Sequence, residues 1–275
     1  MQVIVRESGR WYSRDGLPVY EVDSADGKRK VKPTIVHARK LGLLPSVTSI
    51  IRQLDKPGLR AWHDQQLVEA ALSLPQLYVA DEIWHDPKQR AALILADAEA
   101  QVEAAADRGK DWHATIEQSL LGQLGRPLTE VEQPVLKSIG DWLTQELGAG
   151  YSVVVERTVK GDGFAGTPDI IAQDRDLTKT LLADIKTVAD GAPILGKAAP
   201  YDEWQYQIAA YWRTTQAEDS NCWEVVIGRE TGAIRYHRWS AEEIRTGWKA
   251  FSLLRQLLCI RQKYDPLTWV GKGKE

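Results

Sequence analysis

The sequence contains little cysteine and no long apolar segment. Its 275 residues include two cysteines, Cys222 and Cys259, and neither belongs to a C-x-x-C pair. The sequence therefore indicates neither a zinc cluster nor a disulfide framework. No run approaches the roughly 20 apolar residues that a membrane-spanning helix requires, and residues 1–7 lack the basic start and apolar core of a signal peptide. We therefore expect a cytoplasmic protein with no membrane partner.

The chain also lacks the excess of basic residues that is typical of general nucleic-acid-binding proteins. Its formal net charge is −3 and its sequence pI is about 6.0, which argues mildly against such a function. It does not exclude one, because acidic residues can lie on a far face while a cleft stays positive. The 43% hydrophobic and 27% charged residues are ordinary for a globular protein.

The most informative pattern is a pair of charged motifs that lie 15 residues apart, measured from Asp169 to Asp184. Asp169 follows a Gly-Thr-Pro turn and opens an apolar run, whereas Asp184 and Lys186 lie inside a second apolar run. The two runs predict short strands, and the polar segment 173–179 between them predicts a β-hairpin. Pro168 restricts the backbone just before Asp169. Charges inside apolar runs need a reason, since burying them unpaired is unfavourable.

The predicted hairpin would gather these charges at one end of a sheet. Side chains two positions apart on a strand share a face, so Asp184 and Lys186 point the same way while Ile185 points into the core. The hairpin can then bring Asp169 beside Asp184. Two carboxylates and an ammonium group at one sheet end predict a site for a hard divalent cation and an activated water. The alternative, that these charges simply face solvent at a strand edge, stays open.

Two helical segments carry polar pairs that the same site could use. His113 and Glu117 are four residues apart in a long helical stretch, and Gln207 and Tyr211 have the same spacing in a helix after the second strand. Residues at this spacing share one face of a helix. Each pair could equally be an ordinary polar helix surface.

The order of these elements resembles the RecB-type branch of the PD-(D/E)XK nuclease superfamily. The shared pattern is Gly-x-x-x-His on a helix, then Gly-x-Pro-Asp, Asp-x-Lys and Gln-x-x-x-Tyr, and it covers residues 108–211. Residues 44–62 are also similar, more faintly, to phage and prophage exonucleases of that branch. The resemblance implies an α/β fold with a mixed central β-sheet flanked by helices, a restriction-endonuclease-like core, over residues 101–275. Residues 1–100 would form an N-terminal extension of hairpins and helices packed on that core.

The resemblance implies a role for each residue of the charged motifs. His113, Asp169 and Asp184 would bind the metal, with the backbone carbonyl of Ile185 beside them. Asp169 would also bridge the metal and the scissile phosphate. Lys186 would position or deprotonate the attacking water and neutralise the charged transition state.

Four further residues match or neighbour the pattern. Gln207 and Tyr211 would hold the lysine region and contact the DNA backbone. Glu156 matches an acidic residue that often precedes Gly-x-Pro-Asp and would be a catalytic residue that supports the metal ligands. The alternative, a plain salt bridge at Glu156, stays open. Glu117 would orient His113 as a partner behind the metal.

The resemblance thus implies a deoxyribonuclease that depends on Mg²⁺ or Mn²⁺, most readily an exonuclease that acts on linear DNA in recombination or processing. Its DNA could be single- or double-stranded, and an annealing or recombination protein could be its partner. Some relatives carry a four-cysteine iron–sulfur cluster, which two cysteines cannot supply. The alternatives are a non-catalytic DNA-binding or recombination-accessory protein that keeps the fold, and an endonuclease.

The rest of the sequence predicts where the aromatic residues pack and in which order the helices and strands follow. Most of the 11 tryptophans should pack in the core. Trp112, Trp204 and Tyr206 lie next to predicted site residues and could instead stack on unpaired bases. The predicted elements are helices near 46–56, 58–73, 87–122, 128–147, 201–217 and 241–264, and strands near 151–159, 164–172, 180–187, 222–228 and 233–239.

Overall fold

The computed structural model describes residues 11–24, 26–55, 57–74, 85–215, 217 and 221–270. Residues 1–10, where the sequence predicts no signal peptide, lie outside the described residues. Two compact units are distinguished, one formed by residues 55–112 and the other by the chain up to residue 54 together with the chain from residue 113. In the described ranges, no helix combines the length and the apolar character needed to cross a membrane.

The helices and strands of the described ranges are numbered in chain order. The helices are α1 (Ile35–Leu41), α2 (Val47–Ile51), α3 (Pro57–Ser73), α4 (Pro87–Leu120), α5 (Glu132–Leu147), α6 (Asp202–Thr214) and α7 (Ala241–Gln262). The strands are β1 (Trp11–Tyr12), β2 (Val22–Asp23), β3 (Lys30–Val31), β4 (Leu44–Pro45), β5 (Ser152–Val155), β6 (Val159–Gly161), β7 (Phe164–Gly166), β8 (Ile170–Gln173), β9 (Thr180–Val188), β10 (Cys222–Gly228) and β11 (Ile234–Trp239).

A five-stranded mixed sheet forms the centre of the larger unit. Its strand order is β11-β10-β9-β8-β5, with β9 and β10 parallel and the other neighbours antiparallel. A parallel pair needs a crossover, and α6 lies in the segment that joins these two strands. Strands β9 and β10 read as nearly continuous apolar runs because both of their faces are covered.

Helices cover both faces of this sheet. On one face α6 and α7 pack closely, and Gly247 of α7 permits the approach because a Cβ there would lie 2.9 Å from the backbone oxygen of Gln205. On the other face, Trp142 of α5 stacks on Tyr236 with ring centroids 4.8 Å apart and meets Trp223 edge-on at 5.4 Å. The predicted α/β fold, a mixed central sheet flanked by helices, is therefore confirmed.

Short elements precede the sheet in the larger unit. Strand β1 pairs with β4, and β2 pairs with β3, both antiparallel. The small hairpin β2–β3 turns at Gly27, which has a φ of +68°, a conformation that glycine adopts readily. Helix α1 ends at Gly42, also in the left-handed conformation, and α2 begins at Ser46, whose hydroxyl accepts from the N–H of Ser49 at 3.0 Å.

Several predicted boundaries differ from the structure, and three of the differences have a local cause. The helices predicted over 46–56 and 201–217 end earlier, at Ile51 and Thr214. The strand predicted over 164–172 is interrupted between β7 and β8, where Pro168 offers no N–H to a strand ladder. The strand predicted over 151–159 ends at Val155, because Glu156 has a left-handed φ of +50°. The helix predicted from residue 128 begins at Glu132, whose N–H is held by the hydroxyl of Thr129 at 3.2 Å.

Candidate metal and catalytic site

The hairpin β8–β9 sets the two aspartates side by side. Its register pairs Ile170 with Ala183, so Asp169, one residue before β8, comes to the level of Asp184, one residue after Ala183. The turn is fixed by Asp174, whose side chain accepts from the N–H of Thr178 at 2.8 Å and from that of residue 179 at 2.9 Å. The acids therefore meet because a rigid turn sets the register.

Asp169 is tied to two other elements through its two carboxylate oxygens. Its Oδ1 lies 3.1 Å from Nδ1 of His113, which α4 supplies, and its Oδ2 accepts from the backbone N–H of Ile185 at 2.5 Å. The side chain of Asp169 is 12% exposed and that of His113 is 33% exposed. Sequence analysis placed the carbonyl of Ile185 at the metal; the group of Ile185 that contacts a carboxylate is its N–H, and the carbonyl role stays a prediction.

Glu156 completes a group of three possible ligands. Ligand atoms of His113, Glu156 and Asp169 all lie within 4.8 Å of one another, and these three residues are called the donor group below. The backbone N–H of Glu156 donates to the carbonyl oxygen of Asp169 at 3.3 Å. Glu156 has a left-handed φ of +50°, a conformation that destabilises a non-glycine residue by about 1–2 kcal/mol. Such strain is typical of functional sites.

The donor group lines a small cavity. Its volume is about 10 Å³, close to the roughly 10–15 Å³ that a single water requires. Glu117, one helical turn from His113, lines the same cavity. The space therefore suits one small ion or water rather than an organic cofactor. The lining residues are His113, Ile116, Glu117, Val155, Glu156, Asp169, Ile170 and Ile185.

The residues of the donor group shift one another's pKa values. Burial favours the neutral form of Asp169, but His113 and then the Ile185 N–H lower the pKa of Asp169 below its ordinary value. Burial also opposes a charged imidazole, yet Asp169 raises the pKa of His113 above its ordinary value. Burial, reinforced by the charges of Asp169 and Glu117, raises the pKa of Glu156 to about 8. Without a cation, Glu156 therefore holds a proton at neutral pH that a divalent ion would displace.

A second set of side chains, called the lysine cluster below, lies on the adjoining face of β9. It consists of Asp184, Lys186, Gln207 and Tyr211. Lys186 Nζ contacts Asp184 Oδ2 and donates to Gln207 Oε1 at 2.9 Å, while Gln207 Nε2 donates to Asp184 Oδ1 at 3.3 Å. The same amide lies 3.4 Å from the hydroxyl of Tyr211. Gln207 thus holds both members of the ion pair.

The ion pair inside the lysine cluster is buried, with side-chain exposures of 16% for Lys186 and 3% for Asp184. Burial raises the pKa of Asp184 to about 6, although Lys186 opposes the shift. Burial favours a neutral amine at Lys186, but the charges of Asp184 and Glu224 outweigh it and raise the pKa of Lys186 above its ordinary value. The raised pKa of Asp184 favours a neutral acid, whereas the raised pKa of Lys186 favours a charged amine, although the two groups form one pair. We hold that Lys186 is protonated, because Asp184 and Gln207 both accept from it.

Glu224 is an additional site residue that sequence analysis missed. The parallel pairing of β9 and β10 puts Glu224 opposite Asp184, so the two carboxylates share a face. Glu224 is fully buried, and among the described residues the indole N–H of Trp239 lies near its carboxylate without reaching good hydrogen-bond geometry. Burial raises the pKa of Glu224 well above its ordinary value, with Lys186 acting against the shift. An acid inside the apolar run Cys222–Ile227 was the available signal.

The structure brings the residues predicted for the site into one region of the larger unit. Asp184 is not one of the three residues whose ligand atoms lie within 4.8 Å of one another, and its oxygens are engaged by Lys186 and Gln207. The donor group could hold a metal ion: one imidazole and two carboxylates are ligands that divalent cations accept. Tyr211 packs against Gly166, where a Cβ would lie 2.7 Å from the tyrosine ring.

Comparisons with known proteins add little to this geometry. No protein-family model matches the chain, and no curated protein matches it significantly. One similar solved structure, "Crystal structure of SSO0001", is 15% identical, with an alignment that covers 53% of this chain and 87% of that one and a TM-score of 0.25. A similarity this weak carries no argument about fold or function.

Proposed function

We propose that this protein is a metal-dependent DNA nuclease that hydrolyses phosphodiester bonds. The observation that supports the proposal best is the adjacency of the donor group and the lysine cluster. Asp169 and Asp184 lie at the same level of one hairpin, so a ligand set and a buried ammonium group serve a single reaction centre. The order of the motifs along the sequence supports the same function independently of their geometry.

The residue types fit the chemistry of phosphodiester hydrolysis. His113, Glu156 and Asp169 would hold the ion, and Asp184 would join them if it turned from Lys186. Two or three carboxylates with one imidazole suit Mg²⁺ or Mn²⁺. When bound, such an ion supplies an activated water and stabilises negative charge on the phosphate.

Lys186 has the second essential role in this proposal. Its raised pKa keeps it charged at neutral pH, so it serves as a hydrogen-bond donor and a fixed positive charge rather than as a base. Gln207 holds the ammonium group at 2.9 Å, which limits the reorganisation required as charge develops on the phosphate. Tyr211 supports Gln207 from one helical turn away.

The proposal extends to the substrate and its setting. We infer that the protein is an exonuclease on linear DNA, active in recombination or DNA processing in the cytoplasm, and that an annealing or recombination protein is its partner. The net charge of −3 makes broad electrostatic attachment to DNA a weak contribution. Affinity would then depend on contacts close to the site.

A cleavage assay tests the proposal. Purified protein is incubated with 5′- or 3′-labelled linear single-stranded DNA, linear duplex DNA and closed circles, with Mg²⁺, with Mn²⁺ and with a chelator. We expect linear strands to shorten only when metal is present, and circles to remain intact. Asp169→Asn should reduce the rate by roughly 10³-fold or more, because it removes a negatively charged metal ligand that also contacts His113.

Asp176→Asn provides the matched control, since it makes the same chemical change at an exposed position of the same hairpin. It should cleave like the unaltered protein. Cleavage of circles would favour an endonuclease instead. Metal-independent DNA binding without any cleavage would favour the non-catalytic DNA-binding alternative.

A further inference from the structure

An aromatic pair adjoins the lysine cluster and opens to solvent. The ring of Trp204, in the first turn of α6, lies 5.9 Å from Lys186 Nζ, within cation–π range. The ring of Tyr201, the residue that caps α6, meets Trp204 edge-to-face with centroids 4.9 Å apart. Trp204 therefore lies next to the ammonium group, and Tyr201 lies on the far side of Trp204.

The two rings differ in what surrounds them. Trp204 is half-buried and packs against Val188, Ile194 and Val226, so its position is fixed by the core. Tyr201 is 48% exposed and extends this fixed ring outward. An exposed aromatic ring that packs against a half-buried one has restricted freedom, so it loses little conformational entropy when a planar group stacks on it.

Charge favours a base over a phosphate at this surface. The residues that follow Tyr201 are Asp202 and Glu203, in the first turn of α6. These two acids in the residues next to Tyr201 make this end of α6 negatively charged, which disfavours a phosphate group there. A nucleobase carries no formal charge, and every base has a face that stacks on an aromatic ring.

We propose that Tyr201 stacks on an unpaired nucleobase next to the scissile phosphate, with Trp204 holding the ring in place. The inference rests on the proposed nuclease function and specifies its substrate class: a strand with unpaired bases at the site. A paired base cannot offer a free face to Tyr201, so single-stranded DNA or a frayed end is preferred over an intact duplex. Tyr201 is a specificity-determining residue in this proposal.

Abasic substrates test the stacking directly. Single-stranded DNA 12-mers carry one abasic position, moved stepwise inward from the labelled end, and kcat/KM is measured for each with Mg²⁺. For the unaltered protein, one position should lower kcat/KM by roughly five- to hundredfold, the range expected for one stacked base. Tyr201→Ala should show a loss of the same size on intact DNA and no further loss at that abasic position.

Two variants and a melting curve complete the design. Tyr201→Phe keeps the ring and should behave like the unaltered protein, and Leu253→Ala, a change at another exposed apolar residue, should leave all substrates unaffected. Equal melting temperatures show that the fold is preserved. If Tyr201→Ala cleaves all substrates like the unaltered protein, or if its loss and the abasic loss are additive, the stacking proposal is wrong while the nuclease proposal stands. If the unaltered protein cleaves no nucleic acid, both are wrong.

Discussion

The donor group and the lysine cluster contain similar charges but satisfy them differently. In the donor group, the side chains of His113, Glu156 and Asp169 converge on a cavity. In the lysine cluster, Lys186 and Asp184 satisfy each other, with Gln207 bound to both. The first arrangement leaves room for an ion, and the second holds a cation that the chain itself supplies. In the nuclease proposed above, a bound metal ion and the ammonium group of Lys186 would both act on one phosphate.

The largest expected effect is on the cleavage rate, and Mn²⁺ binding then distinguishes the donor group from the lysine cluster. Asp169→Asn and Lys186→Met should each reduce cleavage by roughly 10³-fold or more, since each removes a charge interaction that acts on the transition state. Only Asp169→Asn should abolish Mn²⁺ binding, measured by titration calorimetry. Lys186→Met should bind Mn²⁺ at least as tightly as the unaltered protein, because it frees Asp184 to act as a ligand. If Lys186→Met loses Mn²⁺ binding with its fold intact, the division into donor group and lysine cluster is wrong.

A smaller effect is expected from the amide that holds the ion pair. Gln207→Leu should lower kcat by about ten- to hundredfold with little change in KM, because it removes two hydrogen bonds to charged groups. Tyr211→Phe removes one contact of 3.4 Å and should cost about two- to tenfold at most. Steady-state kinetics on a labelled oligonucleotide checks both. An effect of Tyr211→Phe larger than that of Gln207→Leu would contradict the assignment of Gln207 as the central support.

Much of this arrangement could be predicted from the sequence because its signals are local. The apolar runs around Asp169 and Asp184 and the polar turn between them predict the hairpin, and the hairpin register brings the acids together. Spacing by four residues places Gln207 and Tyr211 on one face of α6. These features follow from residues close to one another in the chain, where strand and helix periodicity apply directly.

The features that sequence analysis missed depend on strand neighbours or on backbone conformation. Glu224 belongs to the site because β10 pairs in parallel with β9, and that pairing crosses a segment of 33 residues between Val188 and Cys222. Glu156 has a left-handed backbone that no residue type at that position announces. The role proposed for Tyr201 depends on its ring contact with Trp204. Tertiary contacts fixed each of these three positions.

A packing variant tests the link between the Gly-Thr-Pro turn and the lysine cluster. A Cβ at Gly166 would lie 2.7 Å from the ring of Tyr211 and 3.0 Å from Val47. Gly166→Ala should therefore lower the free energy of unfolding by about 1–3 kcal/mol, the usual cost of overpacking, and reduce cleavage through Tyr211. Gly125→Ala, where a Cβ meets no atom within 4 Å, should change stability by less than about 0.5 kcal/mol. Urea denaturation measures both, and equal stabilities would contradict the packing of Tyr211 on Gly166.

The smallest expected effect is the release of a proton from Glu156 when a metal ion binds. Because its pKa is raised to about 8, Glu156 should release a proton when Mn²⁺ binds at pH 7. Calorimetric titrations in two buffers of different ionisation enthalpy measure this release. It should fall in Glu156→Gln and persist in Glu130→Gln, a change at an exposed acid with no role in the site.

The same proton makes the metal-free stability depend on pH with a definite sign. Between the ordinary pKa of 4.5 and the folded value of about 8, the folded state binds more protons at Glu156 than the unfolded state does. The free energy of unfolding contributed by this residue is therefore fully present below pH 4.5 and is lost as pH rises through about 8. Glu156→Gln should flatten that decline, and Mn²⁺ should raise the melting temperature more at pH 8 than at pH 6. If the stability of Glu156→Gln declines with the same slope, the proton belongs to another residue. The protonation of Glu156 would then not distinguish the donor group from the lysine cluster.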